Sequence, residues 1–179
     1  MVRFSFTWLL LLLTSVLLAA CCGSVACDCQ DGFANAVVFR FNPDSLATQS
    51  PRGFTSAQVD TVLLVRYPLD TAQRPRVESV LLTRPRRRAL ADSILLNTTQ
   101  PFAGTRSLSQ FRYELYLGST QRRPLAFTID SIRLDGRYEA DGCCTCYLNT
   151  RKELWRNGQV ITLTDQSGRN RAGQVLISR

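Results

Sequence analysis

Tyr147-Leu148-Asn149-Thr150-Arg151-Lys152-Glu153-Leu154-Trp155-Arg156, then Asn157-Gly158, then Gln159-Val160-Ile161-Thr162-Leu163-Thr164, is two strand-forming runs joined by two turn residues. Asn-Gly suits a type I′ hairpin because both residues tolerate the positive φ that such a turn needs. Trp155 is placed to pack across the hairpin against Val160 or Ile161. This is the best hairpin in the chain. It sets the expectation for the rest: short strands separated by turn chemistry.

Outward from it, the same pattern recurs. Gln110 to Leu117 alternates, with Phe111, Tyr113, Leu115 and Leu117 on one face and Arg112, Glu114 and Tyr116 on the other. Leu125 to Leu134 reads as a strand whose phase changes near Ser131, as at a bulge. Asp135-Gly136 reads as a hairpin turn. Val59 to Tyr67 is the clearest strand, stopped by Pro68. Val59, Thr61, Leu63, Val65 and Tyr67 form its more apolar face, although Val62 and Leu64 suggest burial on both sides. Ala36 to Phe41, Val77 to Thr83 and Gln174 to Ser178 complete the strands. A polar loop rich in Ser, Thr, Pro and Gly follows the turn residues Asn42-Pro43-Asp44 and runs to about Ser56, and Asp165 to Arg171 is a second loop. Ala89 to Leu96 is ambiguous: Leu90 and Ile94 fit helical spacing, and Ile94 to Asn97 fits a strand. About nine short β segments predict an all-β chain. A β-sandwich of immunoglobulin-like type is expected, with a barrel as the main alternative.

The N-terminus has a different character. Arg3 is the only charge before Asp28, and Trp8 to Leu18 is apolar except for Thr14 and Ser15. A short positive segment, an apolar stretch and small residues at a cut make the secretory leader pattern. Its last residues, Leu18-Ala19-Ala20-Cys21, resemble the lipobox of bacterial lipoproteins. The resemblance implies cleavage before Cys21, diacylglyceryl on its sulfur and a palmitate-class acyl chain on its new amine. Two acyl chains on the glyceryl plus one on the amine exceed the two signals that stable anchoring requires. An ordinary leader cut near Ala20 and an uncleaved anchor are the alternatives. The expected organisation is a signal peptide over 1–20, a Cys-rich lipidated tail over 21–34 and one β-sandwich domain over 35–179. The expected location is the bacterial cell envelope, lipid-anchored, at the outer membrane. Phe127 to Gly158, with Cys143-Cys144-Thr145-Cys146-Tyr147, also resembles small lipoproteins of Gram-negative bacteria.

Cleavage removes 20 of the 179 residues and leaves 159, enough for one domain with a real core. Losing Arg3 takes the net charge from +8 to +7, nearly all of it arginine, since Lys152 is the only lysine. Only Arg84-Pro85-Arg86-Arg87-Arg88 is dense; it reads as a solvated loop, with acidic glycans or lipid phosphates as the other candidates. Export argues against a nucleic-acid partner. The chain has no histidine, which excludes Ser-His-Asp and Cys-His catalysis within it and removes the commonest metal ligand.

The seven cysteines fall in two clusters. With Cys21 lipidated, six remain: Cys22, Cys27 and Cys29 near the start, and Cys143, Cys144 and Cys146 far downstream. In an oxidising compartment they are expected to pair, and neighbours rarely satisfy disulfide geometry with each other, so bridges between clusters are expected. The alternative is a thiolate site for zinc or Cu(I), or a redox pair, although the spacing is not that of zinc ribbons.

Other constellations are weaker. Tyr138, Tyr147 and Trp155, with Tyr116, form a candidate aromatic face for a sugar or protein. Asp135, Glu139 and Asp141 suggest a calcium loop, and Glu114, Asp130 and Glu153 a carboxylate pair for glycoside hydrolysis, but nothing in either spacing favours these over turn and surface positions. Asn97-Thr98-Thr99 matches a glycosylation sequon, read as chance. The expectation is therefore a non-enzymatic envelope lipoprotein, without cofactor or resident metal, that binds or supports a protein or glycan partner. A metal- or redox-handling lipoprotein using the two Cys triplets is the alternative.

Overall fold

The computed structural model describes residues 8, 26, 27, 29, 31–43, 53–72, 76–118, 124–167 and 169–179, with the backbone alone at Asp141. The lipobox, Cys21, Cys22 and, save Trp8, the leader lie outside the described residues. Among the described residues no helix is long and apolar enough to cross a membrane.

The chain is all-β and sandwich-like; the described residues form three sheets and no closed barrel. Two short helices, α1 (Asp31–Ala34) and α2 (Ser56–Val59), precede strands of the first two sheets. The first sheet places β1 (Val37–Phe41) between β10 (Gly173–Ile177), parallel to it, and β4 (Ile94–Leu96), antiparallel. The second runs β3 (Glu78–Thr83), β2 (Thr61–Pro68), β5 (Phe111–Leu117), β6 (Leu125–Ile129), all antiparallel. The third runs β7 (Ser131–Asp141), β8 (Cys144–Arg156), β9 (Gln159–Thr162). The ambiguous stretch before Asn97 therefore ends in a strand.

Period-2 burial explains how the sheets face. Val37, Phe39 and Phe41 point inward from β1, and Phe111, Tyr113, Leu115 and Leu117 from β5, the face expected from the alternation. The Phe39 and Phe127 rings meet at 6.0 Å and join the first sheet to the second. Ile132 and Leu154 bring the third sheet onto the same core.

The middle of β2 is buried on both sides, as Val62 and Leu64 suggested, with Val65 8% exposed on one side, but the side that joins the core is not the one expected to be more apolar. Val62 and Leu64 belong to the core, with 0% and 1% exposure, and Arg66 shares their side of the strand at 3%. Its guanidinium lies 4.5 Å from the Phe102 ring centroid and 4.4 Å from that of Phe111, and it donates to Glu78 at 2.7 Å. Arg66 makes the core face look polar in sequence, but a weakly hydrated guanidinium stacks between aromatic rings. On the outer face Glu114 accepts from Arg112 and Tyr116, and this cluster covers Val65. Its hydrogen bond to Glu114 pushes the Tyr116 phenol well above its ordinary pKa. Val59 ends α2, so the strand begins at Thr61.

The phase change near Ser131 is a change of sheet. β6 pairs with β5 up to Ile129, and β7 pairs with β8 from Ser131. Asp130 holds the crossing: its N–H donates to Trp155 O at 2.9 Å, and its carboxylate accepts from Asn157 N at 2.6 Å. Asp135-Gly136 is not a turn. It lies inside β7, where Asp135 faces Arg151 and Gly136 faces Asn149, leaving Thr150 as the extra residue of a bulge. Gly136 is required by packing: a Cβ there would run into the Tyr147 phenol and lie 2.7 Å from the Leu148 carbonyl oxygen. The true turn is Gly142-Cys143, with Gly142 at φ 59°. Asn157 and Gly158, at φ 49° and 75°, make the expected hairpin turn, and Trp155 faces Val160 across it.

Candidate functional site

The described residues of the N-terminal stretch, Cys27, Cys29 and 31–36, lie alongside β8, and their links follow in chain order. Cys27 is bonded to Cys144 and Cys29 to Cys146, with Cα–Cα distances of 5.6 and 5.1 Å. Asp31 Oδ1 accepts from Tyr147 N at 3.2 Å, and Asn35 Oδ1 accepts from Asn149 Nδ2 at 2.8 Å. Lys152 Nζ then donates to Phe33 O at 3.4 Å and Ala36 O at 3.1 Å. Bridges between the two cysteine clusters are as expected from sequence. Cys143 is disulfide-bonded as well. The Cys22 candidate lies outside the described residues.

Two side chains finish this seam. Asn170, at φ 52°, accepts from Asn149 N at 3.0 Å and donates to Tyr147 O, so its amide mimics a strand edge against β8. The same Nδ2 reaches Cys29 O at 3.4 Å. Lys152 is 1% exposed, and its third acceptor is Arg171 O at 3.2 Å. Burial lowers its pKa to about 8, against a smaller opposing pull from Asp165. Asp165 accepts from the backbone N–H groups of Ser167, Arg169 and Arg171 and from the Ser167 hydroxyl. Those bonds, the Ser167 hydroxyl foremost, hold its carboxyl well below the usual range and shape the loop before β10.

The aromatic candidates divide. Tyr138 and Tyr147 face each other across β7 and β8, with ring centroids at 5.4 Å in an edge arrangement, and Tyr138 is 71% exposed. Trp155 lies eight residues along β8, roughly 25 Å away at strand rise, and packs at the other hairpin with Val160. No three-residue aromatic face forms. Of the acidic candidates, four form ion pairs of their own. Asp135 pairs with Arg133 and Arg151, Glu139 with Arg137, Glu153 with Arg151, and Glu114 with Arg112. Among the described residues no cluster of three His, Cys, Asp or Glu side chains could hold a metal ion.

Sequence reasoning passed over the polar stitching. Lys152 shares the face of buried Leu154, so period 2 alone marks it as inward. Asp31, Asn35 and Asn170 carry no such signal. The basic run is not uniformly solvated: Arg84 turns inward, donates to Asp92 O at 2.9 Å and to Val59 O, and stacks on Phe41. Burial lowers its pKa. No protein-family model, no curated protein and no solved structure matches this chain.

Proposed function

We propose that the chain is a membrane-anchored envelope lipoprotein, non-enzymatic, whose β module binds or braces a protein or glycan partner close to the membrane. The observation that carries this is the pair of bridges Cys27–Cys144 and Cys29–Cys146. Such bonds persist in oxidising compartments, in keeping with an exported chain. They tie the segment following Cys21 to β8, so a lipid on Cys21 would hold the domain on a short tether.

Cysteine parity supports the same reading. Of seven cysteines, four are in the two bridges and Cys143 is in another, which leaves Cys21 and Cys22 as its possible partners. Were Cys22 that partner, one sulfur would remain, at the position the lipobox marks for acylation. The sulfurs of Cys27, Cys29, Cys144 and Cys146 are bonded to one another and so are not thiolate ligands, which weighs against the metal alternative. The surface offered to a partner is the outer hairpin, with Tyr138 foremost.

Replacing Cys21 with Ser in the full-length protein is the test. The variant is expected in the soluble fraction of the cell envelope and the parent with the membranes; a variant that stays with the membranes overturns the lipid assignment. Mass mapping of unreduced peptides is expected to find Cys22 joined to Cys143. A Cys21–Cys143 linkage would leave no sulfur for lipid at the lipobox position and would sink the proposal.

A further inference from the structure

At one end of the sandwich, where all three sheets meet, a pocket of about 460 Å³ opens beside α2. Phe54 and Leu117, 3% and 7% exposed, form its floor, and Ala57, Leu125 and Ala126 its walls. Its size falls within the range of small-molecule sites. The charged side chains at its margin are of one sign. Arg156 and Arg179 line it, with Gln58 and Ser178, and among the described residues no aspartate or glutamate does. Arg156 is held in place by stacking, its guanidinium carbon 4.3 Å from the Phe127 ring centroid. Arg179 lies 5.6 Å from the Phe54 centroid in the same way. Among the described residues neither side chain forms an ion pair, as is true of several other arginines such as Arg40 and Arg84.

An apolar floor with fixed guanidinium groups at the rim matches one ligand chemistry. The apolar part of the ligand leaves water against Phe54, Leu117 and Leu125, and its oxyanion meets a planar donor fork already oriented by a ring. A neutral apolar ligand would leave the guanidinium groups unanswered, and a small hydrophilic anion would leave the floor wet. We propose that this pocket binds a single-chain amphiphile with an oxyanion head, with Arg156 as the residue that reads the head. The proposal does not depend on the lipid anchor.

The test uses the disulfide-intact protein and titration calorimetry below the self-association concentration of each probe. Dodecanoate or dodecyl phosphate is expected to bind saturably, one per chain, and the tighter of the two identifies the head group. Dodecanol and acetate are expected to bind at least about tenfold more weakly, since each lacks one half of the match. Arg156→Gln should weaken the anionic probe by about tenfold, and Ala57→Trp, at an exposed wall position, should block it. The pocket assignment fails if neither anionic probe binds saturably, as would happen were the site filled by another part of the chain. It also fails if dodecanol binds as well as dodecanoate, or if both variants bind like the parent. The comparison among probes needs no variant, so it stands even if a substitution impairs folding.

Discussion

Between the two main sheets, Phe39, Phe41, Leu64, Leu96, Phe111 and Leu115 are almost wholly withdrawn from water. Along β7 and β8 outward from the bulge, no described side chain from Asp135 to Leu148 is buried. The sandwich is held by apolar area. The outer hairpin has almost none and is held by bridges and by side chains that answer backbone groups. Where an element is too small to make its own core, covalent and polar links supply the order that burial cannot.

The largest effect should come from cutting the seam. Each bridge spans 117 residues, a stretch that includes most of the sandwich, so it restricts the unfolded state of the core as well as the hairpin. Replacing Cys27 and Cys29 with Ala should cost up to about 4–5 kcal/mol in urea unfolding, with the second bridge adding less than the first. A loss below about 1 kcal/mol would mean that the hairpin frays on its own and that the two regions are uncoupled.

The next prediction contrasts two leucines. Leu96 on β4 is 0% exposed, and Leu96→Ala should cost about 2–5 kcal/mol. Leu148 on β8 is only half-buried, and Leu148→Ala should cost about 1 kcal/mol or less. Equal losses in denaturant titrations would show that the outer hairpin has a core of its own.

The same contrast explains what was legible in the sequence. The all-β class follows from alternation and turn residues, as at Phe111–Leu117 and Asn157-Gly158, because one buried face imprints period 2 on the chain. Bridging between cysteine clusters was legible because adjacent cysteines cannot easily pair. Arg66 and Lys152 misled because their charge hides an inward position, and only their phase relative to Leu64 and Leu154 betrays it. The Asp135-Gly136 turn was misread because Gly answers close packing as well as tight turning, and only three-dimensional neighbours tell the two apart. The pocket at Arg156 joins residues from distant strands and leaves no local pattern.

Lys152 gives a pH-dependent view of where seam and core meet. Its folded pKa, lowered by burial, is about 8, below the ordinary 10.5. Between those values the unfolded chain binds more protons than the folded one, so stability should rise with pH. The penalty for burying the ammonium is complete below pH 8 and is relieved as pH rises through 8 toward 10.5. The slope should approach, but not exceed, about 1.4 kcal/mol per pH unit. Tyr67, Tyr113 and Tyr116 have raised pKa values, which act in the opposite sense above pH 10, so unfolding is best compared between pH 8 and 10. Lys152→Met should flatten the slope; an unchanged slope would place its origin elsewhere.

The smallest predicted effect asks whether the outer hairpin packs at all. Tyr147 lies over Gly136, where a Cβ would run into its phenol oxygen and ring carbon Cζ and come within 2.7 Å of the Leu148 carbonyl oxygen. Gly136→Ala must displace that ring or the backbone, at about 1–2 kcal/mol. Tyr147→Ser made first removes the ring and leaves only the Leu148 carbonyl oxygen, 2.7 Å from the added Cβ. The double variant should then lose less than the two single losses combined, and the difference is the coupling between them. Additive losses would mean that Gly136 serves the bulge backbone and not the ring. In that case the ring contributes nothing to the register of β7 on β8, and the hairpin rests on its hydrogen bonds and sulfur bridges alone.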